Sequence, residues 1–162
     1  MYLPQPMPKV FIASDHAGFA LKSALFAYLQ GKGYAIEDLG AHEFSPEDDY
    51  PDFVTPCARR VVAESGSFGV IIGASGQGEA MAANRIEGAR AAVFYGEPEA
   101  PQTDADGAQL TMIASVRGHN DSNILSLGAR FLTAEQACAA ASAFLEAPFS
   151  GADRHRRRLA KF

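Results

Sequence analysis

Phe68–Arg85, F-G-V-I-I-G-A-S-G-Q-G-E-A-M-A-A-N-R, is the stretch around which the rest of the chain is arranged. Val70-Ile71-Ile72 is apolar and branched, the pattern of a strand buried on both faces of a parallel sheet. It breaks into a glycine-rich turn, Gly73 to Gly78, and then opens on good helix formers from Glu79 to Asn84. Strand, glycine turn and helix start together aim backbone N–H groups and the positive end of a helix dipole at an anion. Ser75 and Glu79 add a hydroxyl and a carboxyl about one helical turn apart. A turn that only held phosphate gains nothing from an acid at the helix start. The segment therefore reads as a site for chemistry, in which the turn stabilises an oxyanion and Glu79 moves a proton. The plainer alternatives are a dipole-favoured acid in a first helical turn and a serine that merely shapes the turn.

Upstream, Lys9–Ser14 reads as a first strand, followed at once by Asp15-His16-Ala17-Gly18. Phe19–Lys32 has helical spacing, with Leu21, Leu25 and Leu29 on one face and Lys22 and Lys32 elsewhere. Ala35–Leu39 is a weaker second strand, and Gly40–Tyr50 an acidic loop closing on Pro51. Asp52–Glu64 reads as a helix that either starts late, with Thr55 as cap and Pro56 at its first position, or bends at Pro56. Downstream, Arg90–Tyr95 is a fourth strand and 96–109 a surface excursion with two prolines, four acids and no Lys or Arg. Leu110–Arg117 is a short helix leading into Gly118-His119-Asn120-Asp121, and Asn123–Leu127 is a fifth strand. Thr133-x-x-Gln136 is a capping-box signature for a helix to Leu145. After a turn at 148–152, Asp153 can cap a last, basic helix over 153–162. Strands alternating with helices predict an α/β fold with a five-stranded parallel sheet covered on both faces. Right-handed crossovers put every strand's carboxyl end on one edge, so Asp15-His16 and Ser75-to-Glu79 share the edge where such folds bind ligands.

The 162 residues suffice for one domain with a full core, preceded by a proline-rich, flexible lead-in over 1–8. Neither a long apolar span nor a signal-peptide pattern is visible, so no membrane association is expected. Cys57 and Cys138 lack metal-ligand spacing and read as small core residues, which fits a reducing cytoplasm. A net charge of −5 argues against a nucleic-acid partner. The basic residues are nevertheless gathered near the C-terminus, at Arg154, Arg156, Arg157, Arg158 and Lys161, which suggests a local anion site. No cluster has the spacing of a metal site. The glycine turn also lacks the acid expected of a dinucleotide fold.

Five segments in one register carry a resemblance: S-D-H-A-G, D-Y-P, G-A-S-G-Q-G-E-A-M-A-A-N-R, G-H-N-D-S-N-I-L-S-L-G-A-R and the terminal R-H-R-R-R. From Lys9 onward the chain resembles the type B ribose-5-phosphate isomerases, grouped with the galactose-6-phosphate isomerase subunits. The resemblance implies a three-layer, Rossmann-like sandwich. It also implies a homodimer or dimer of dimers with sites at the subunit interface, and aldose–ketose interconversion of a sugar phosphate without metal or organic cofactor. Many members carry a cysteine base at the position of Gly73. A second subgroup has the serine and glutamate matched by Ser75 and Glu79, so here the base is expected to be Glu79. The excursion at 96–109 is longer than in common members and leaves the size of the sugar open.

The expected roles follow. Glu79 takes a proton from carbon 2 and returns it to carbon 1 through a cis-enediolate, while Ser75 and the N–H groups of Gly76, Gln77 and Gly78 hold the oxyanion. A helix N-terminus lowers a carboxyl pKa, so exclusion of water has to raise it again. By resemblance, His119 opens the sugar ring beside Asn120, and Asp15 accepts from substrate hydroxyls and shares ring opening. His16, Arg130, Arg154 and Arg158 anchor the phosphate, and Tyr50 lines the sugar pocket or fills the core. Arg154 and Arg158, four apart, share a helix face. Arg156 and Arg157 read as solvated charge, and His42 and His155 as surface residues. The alternatives are a hexose 6-phosphate substrate of the allose or galactose series, and a non-catalytic sugar-phosphate-binding protein.

Overall fold

The structure, a computed structural model, describes residues 7–100 and 102–162. Most of the expected lead-in, residues 1–6, lies outside the described residues. Strands β1 (Val10–Ser14), β2 (Ile36–Asp38), β3 (Phe68–Gly73), β4 (Ala91–Phe94) and β7 (Ile124–Gly128) form one parallel sheet in the order β2-β1-β3-β7-β4. The chain winds outward from β1 to β2, then crosses back to β3 on the other side. The β1/β3 boundary is therefore the topological switch point, the place where open parallel sheets of this kind bind ligands.

Alternation along the strands builds two cores. Val10 and Ile12 of β1, Val70 and Ile72 of β3, and Leu125 and Leu127 of β7 face helices α1 (Phe19–Gly31) and α5 (Ala134–Glu146). Phe11, Ala13, Ile71 and Ile124 face the opposite way, toward α2 (Pro51–Ala63) and α3 (Gln77–Ala83). The expected three-layer α/β sandwich is thus observed. Each fully buried Ile, Leu or Phe contributes roughly 1.5–3 kcal/mol, so the sheet's two apolar faces dominate stability.

Several local expectations are corrected. The buried face of α1 is Lys22, Leu25 and Leu29, with Leu21 only partly buried. Lys22 is 2% exposed because its ammonium is met by Asp38 of β2, at 2.7 and 2.9 Å, and by the Ala41 carbonyl. Helix α2 starts at Pro51, and Pro56 lies inside it on the exposed side, rather than at its start. The excursion after β4 is partly ordered: β5 (Gln102–Thr103) and β6 (Gln109–Leu110) pair antiparallel. Helix α4 (Met112–Asn120) runs three residues further than expected, so His119 and Asn120 sit in its last turn and not in a loop. Thr133 and Gln136 form both bonds of the capping box. Asp153 does not cap α6 (Asp153–Leu159); it is the first helical residue, after Ala152. Cys57 is fully buried, and desolvation pushes its thiol up to about 12. Among the described residues no helix is long and apolar enough to cross a membrane.

Candidate active site

At the end of β3 the chain turns through Gly76, whose φ of 77° lies in the left-handed region open to glycine, and enters α3. The Ser126 hydroxyl donates to the Gly76 carbonyl at 2.6 Å, and the Ser75 hydroxyl accepts weakly from the Gln77 N–H at 3.3 Å. Glu79, in the first turn of α3, is 4% exposed. Its carboxyl folds back over β3: a Cβ built on Gly73 would lie 1.6 Å from Glu79 Oε1. The carboxyl therefore fills the space that any side chain at 73 would need. Burial pushes the Glu79 carboxyl above its ordinary value, helped by the negative charge of Asp15 and opposed by the amides of Glu79 and Gly76. Between dipole and desolvation, desolvation wins.

Two further elements close on this turn. Tyr50, capping the start of α2, brings its hydroxyl against Gly78, where a Cβ would come within 2.6 Å of it. Arg130, just past β7, is exposed and donates its backbone N–H to the Ala74 carbonyl at 3.0 Å, so it begins beside the Ser75 turn.

Across the switch point, Asp15 follows β1 and is 6% exposed. Its Oδ1 accepts from the N–H groups of Ala17 (3.0 Å) and Gly18 (3.3 Å), capping the 3-10 turn His16–Gly18. His16 carries a partner that sequence reading missed: Asp48 Oδ1 accepts from the His16 backbone N–H at 2.9 Å and from ring Nδ1 at 2.6 Å. Ligand-type atoms of Asp15, His16 and Asp48 all lie within 4.8 Å of one another, a grouping hidden in the sequence because Asp48 lies 32 positions after His16. Hydrogen bonds join His16 to Asp48, and Asp15 is drawn in as the neighbour of His16 in the chain. The hydrogen bond to Asp48 raises the His16 pKa most, with the charges of Asp15 and Asp48 adding and partial desolvation opposing. A raised imidazole keeps its proton, and any attraction it offers an anion, until the pH climbs through that raised value. Asp48→Asn keeps an acceptor but removes the charge. If His16 attracts an anionic ligand, KM for that ligand should rise at lower pH in this variant than in the wild type, with kcat unchanged. NMR titration of the His16 ring and KM measured against pH check this together.

A second group lies on α4 and α6. The His119 ring stacks on His155, centroids 4.4 Å apart, and its Nδ1 is 3.5 Å from the Ser115 hydroxyl. His155 is not a surface residue as expected; it is 4% exposed and its Nδ1 lies 2.7 Å from the Ser150 hydroxyl. Burial lowers its pKa, reinforced by the positive surroundings of His119, Arg154 and Arg158. In the sequence it was hidden among arginines. His42 is exposed as expected. Asn120 faces a groove of about 480 Å³ with Arg90, Leu159 and Phe162, and that groove contains none of the residues around Glu79. Among the described residues no hydrogen bond or ion pair joins the two groups. Thus one chain brings together Asp15, His16, Tyr50, Ser75, Gly76, Gln77, Gly78, Glu79 and Arg130, and gathers His119, Asn120, Arg154 and Arg158 elsewhere.

Fold and first group together define an α/β protein in which a buried carboxyl with raised proton affinity lies beside a glycine turn at the switch point of a parallel sheet. Such a carboxyl can exchange a proton with a ligand whose developing charge the turn's amides share. The chain belongs to the ribose/galactose isomerase family, whose model matches residues 10–162. It is 38% identical over 151 residues to ribose-5-phosphate isomerase B of Mycolicibacterium paratuberculosis, covering 93% of this chain and 87% of that protein. Among solved structures it is similar to ribose-5-phosphate isomerase B from Mycoplasma genitalium with bound ribulose 5-phosphate. That likeness has a TM-score of 0.82 and 34% identity, over 97% of this chain and 95% of that one. The Thermotoga maritima ribose 5-phosphate isomerase is as close, with a TM-score of 0.83 and 36% identity over 96% and 97% of the two chains.

Proposed function

We propose that this chain is an aldose–ketose isomerase interconverting ribose 5-phosphate and ribulose 5-phosphate, without metal or organic cofactor. The observation that carries the reading is the Glu79 carboxyl, buried over Gly73 at the end of β3 with its proton affinity raised. As carboxylate, Glu79 removes the carbon-2 proton of the open-chain aldose. The negative charge passes to the carbonyl oxygen, held by Ser75 and the N–H groups of Gly76, Gln77 and Gly78. Protonated Glu79 then returns the proton to carbon 1, and the hydroxyl proton shifts between oxygens to leave the ketose. His119 and Asp15 serve ring opening, Asn120 and Tyr50 the sugar hydroxyls, and His16, Arg130, Arg154 and Arg158 the phosphate.

The two groups of residues sit apart in one chain, which favours a homodimer or dimer of dimers in which each site takes its carboxyl edge from one subunit and its α4–α6 residues from the other. The setting is cytoplasmic, consistent with a pair of free thiols, and nucleic acid and membrane are not partners. The test is turnover with ribose 5-phosphate in heavy water, read as deuterium on carbon of the recovered sugar, alongside kcat/KM for six-carbon phosphates. Deuterium incorporation with a preference for the pentose is expected. A preference for a hexose 6-phosphate moves the substrate assignment, and absence of both turnover and exchange leaves only a binding protein.

A further inference from the structure

The proposed reaction makes no use of the excursion between β4 and α4, and two of its four acidic residues, Asp104 and Asp106, stand close to Arg154 of the basic C-terminal helix. The β5–β6 hairpin is firmly built. Asp104 Oδ1 accepts from the N–H groups of Asp106 and Ala108, both at 2.9 Å, and the Asp104 N–H donates to the Ala108 carbonyl at 2.9 Å. At the base, Glu97 Oε2 accepts from the Met112 N–H at 2.9 Å and so ties the excursion to the start of α4, the helix that carries His119. With turn and base fixed, the tip presents Asp106, and Arg154 donates to Asp106 Oδ2 at 2.6 Å. The amides of Ala108 and Asp106 hold the Asp104 carboxyl below the usual carboxylate range, and the positive charges of Arg154 and His119 add to this. Hairpin tip and basic cluster face one another.

We propose that Asp106 is a specificity-determining residue that competes internally for Arg154, its carboxylate holding the guanidinium until a substrate phosphate displaces it. This rests on the reading of Arg154 as a phosphate ligand. The pair is open to exchange, since the Asp106 side chain is 67% exposed and that of Arg154 33%. A phosphate dianion brings more charge and more acceptor oxygens to a forked guanidinium than one carboxylate does, so it prevails. A neutral sugar offers Arg154 nothing in exchange and leaves the pair closed. An exposed ion pair is weak, so the competition is worth at most about fivefold in affinity.

The experiment measures the affinity of the full-length protein for inorganic phosphate by calorimetry, and steady-state kinetics with ribose 5-phosphate. The proteins compared are the wild type, Asp106→Asn, Arg154→Gln, the double variant and Glu99→Gln. Glu99→Gln removes one negative charge from the same excursion without touching Arg154. Asp106→Asn is expected to bind phosphate about two- to fivefold more tightly and to lower KM by the same factor at unchanged kcat. Glu99→Gln is expected to match the wild type, and the gain should vanish in the Arg154→Gln background. If Asp106→Asn leaves affinity unchanged or weakens it, or if Glu99→Gln reproduces the gain, Asp106 is not a competitor. Should Arg154→Gln bind phosphate as well as the wild type, the anchor role of Arg154 fails and the competition with it. Weakening by Arg154→Gln with no gain from Asp106→Asn defeats the competition alone.

Discussion

Glu79→Gln is expected to lower kcat for ribose 5-phosphate by about three orders of magnitude, within the range that general-base catalysis supplies, while Kd for the sugar phosphate changes little. The substitution keeps the shape that fills the space over Gly73 and removes only the group able to accept a proton. Deuterium should no longer enter the sugar from heavy water. A variant that keeps turnover would move the base elsewhere, and one that loses affinity as well would make Glu79 a binding group. Stability should move the other way. Burial raises the Glu79 pKa, so the folded chain holds this proton more tightly than the unfolded chain does. As pH rises above the ordinary carboxyl value of about 4.3, the unfolded chain releases a proton that the folded one still keeps, and stability falls until the raised value is passed. A neutral amide in its place carries no such penalty. The variant should therefore melt at a higher temperature than the wild type at neutral pH, and the difference should shrink on acidification toward the ordinary carboxyl value. The same shift puts the acid limb of kcat/KM in the wild type at the raised Glu79 pKa, because only the carboxylate can take a proton.

What the sequence made legible is what neighbours along the chain decide. The capping box at Thr133 and Gln136, the glycine turn after β3 and the alternation of Val70, Ile71 and Ile72 between the two cores involve residues a few positions apart. Their physics is local, and so is the signal that reveals them. The buried ammonium of Lys22 was not legible, because it depends on Asp38, 16 residues away on another element. The same holds for Asp48 beneath His16 and for the stacking of His155 on His119, which bring together a loop and a turn, and two helices. Glu79 shows the boundary within one residue. Its place at a helix start was readable, but the direction of its pKa depends on how much of the chain closes over it. Pro56 shows the reverse case: local rules left open a late helix start or a bend there, and the packing of Val54, Cys57, Ala58 and Val61 carries the helix through. The resemblance implied a site built at an interface, but which residues fall in each of the two groups was not legible, because motifs order residues along the chain and not in space.

Gly73→Ala should lower kcat by about two orders of magnitude, although it adds one methyl group to a residue with no functional atom. A Cβ at 73 would sit 1.6 Å from Glu79 Oε1 and 2.1 Å from Cδ, far inside contact distance. Residue 73 ends β3 in register with Gly128 of β7, so its backbone is fixed by the sheet and the side chain has to give way. Displacing the carboxyl by even an ångström takes it out of line with a substrate carbon, a misplacement that costs about 10²-fold in rate. The decisive measurement is the double-mutant cycle. If the methyl acts only by moving the carboxyl, Gly73→Ala costs nothing further in the Glu79→Gln background and the two losses fail to add, as expected of residues in direct contact. Additive losses would mean that Gly73 matters for some other reason, such as the path of the turn that holds the oxyanion. A Gly73→Ala protein that keeps wild-type kcat would show that Glu79 works from a different position, and the geometry that supports it as the base would be lost. In this chain a cysteine at 73 and the Glu79 carboxyl would claim one space at the end of one strand, and a chain that fills it from the helix must leave the strand bare.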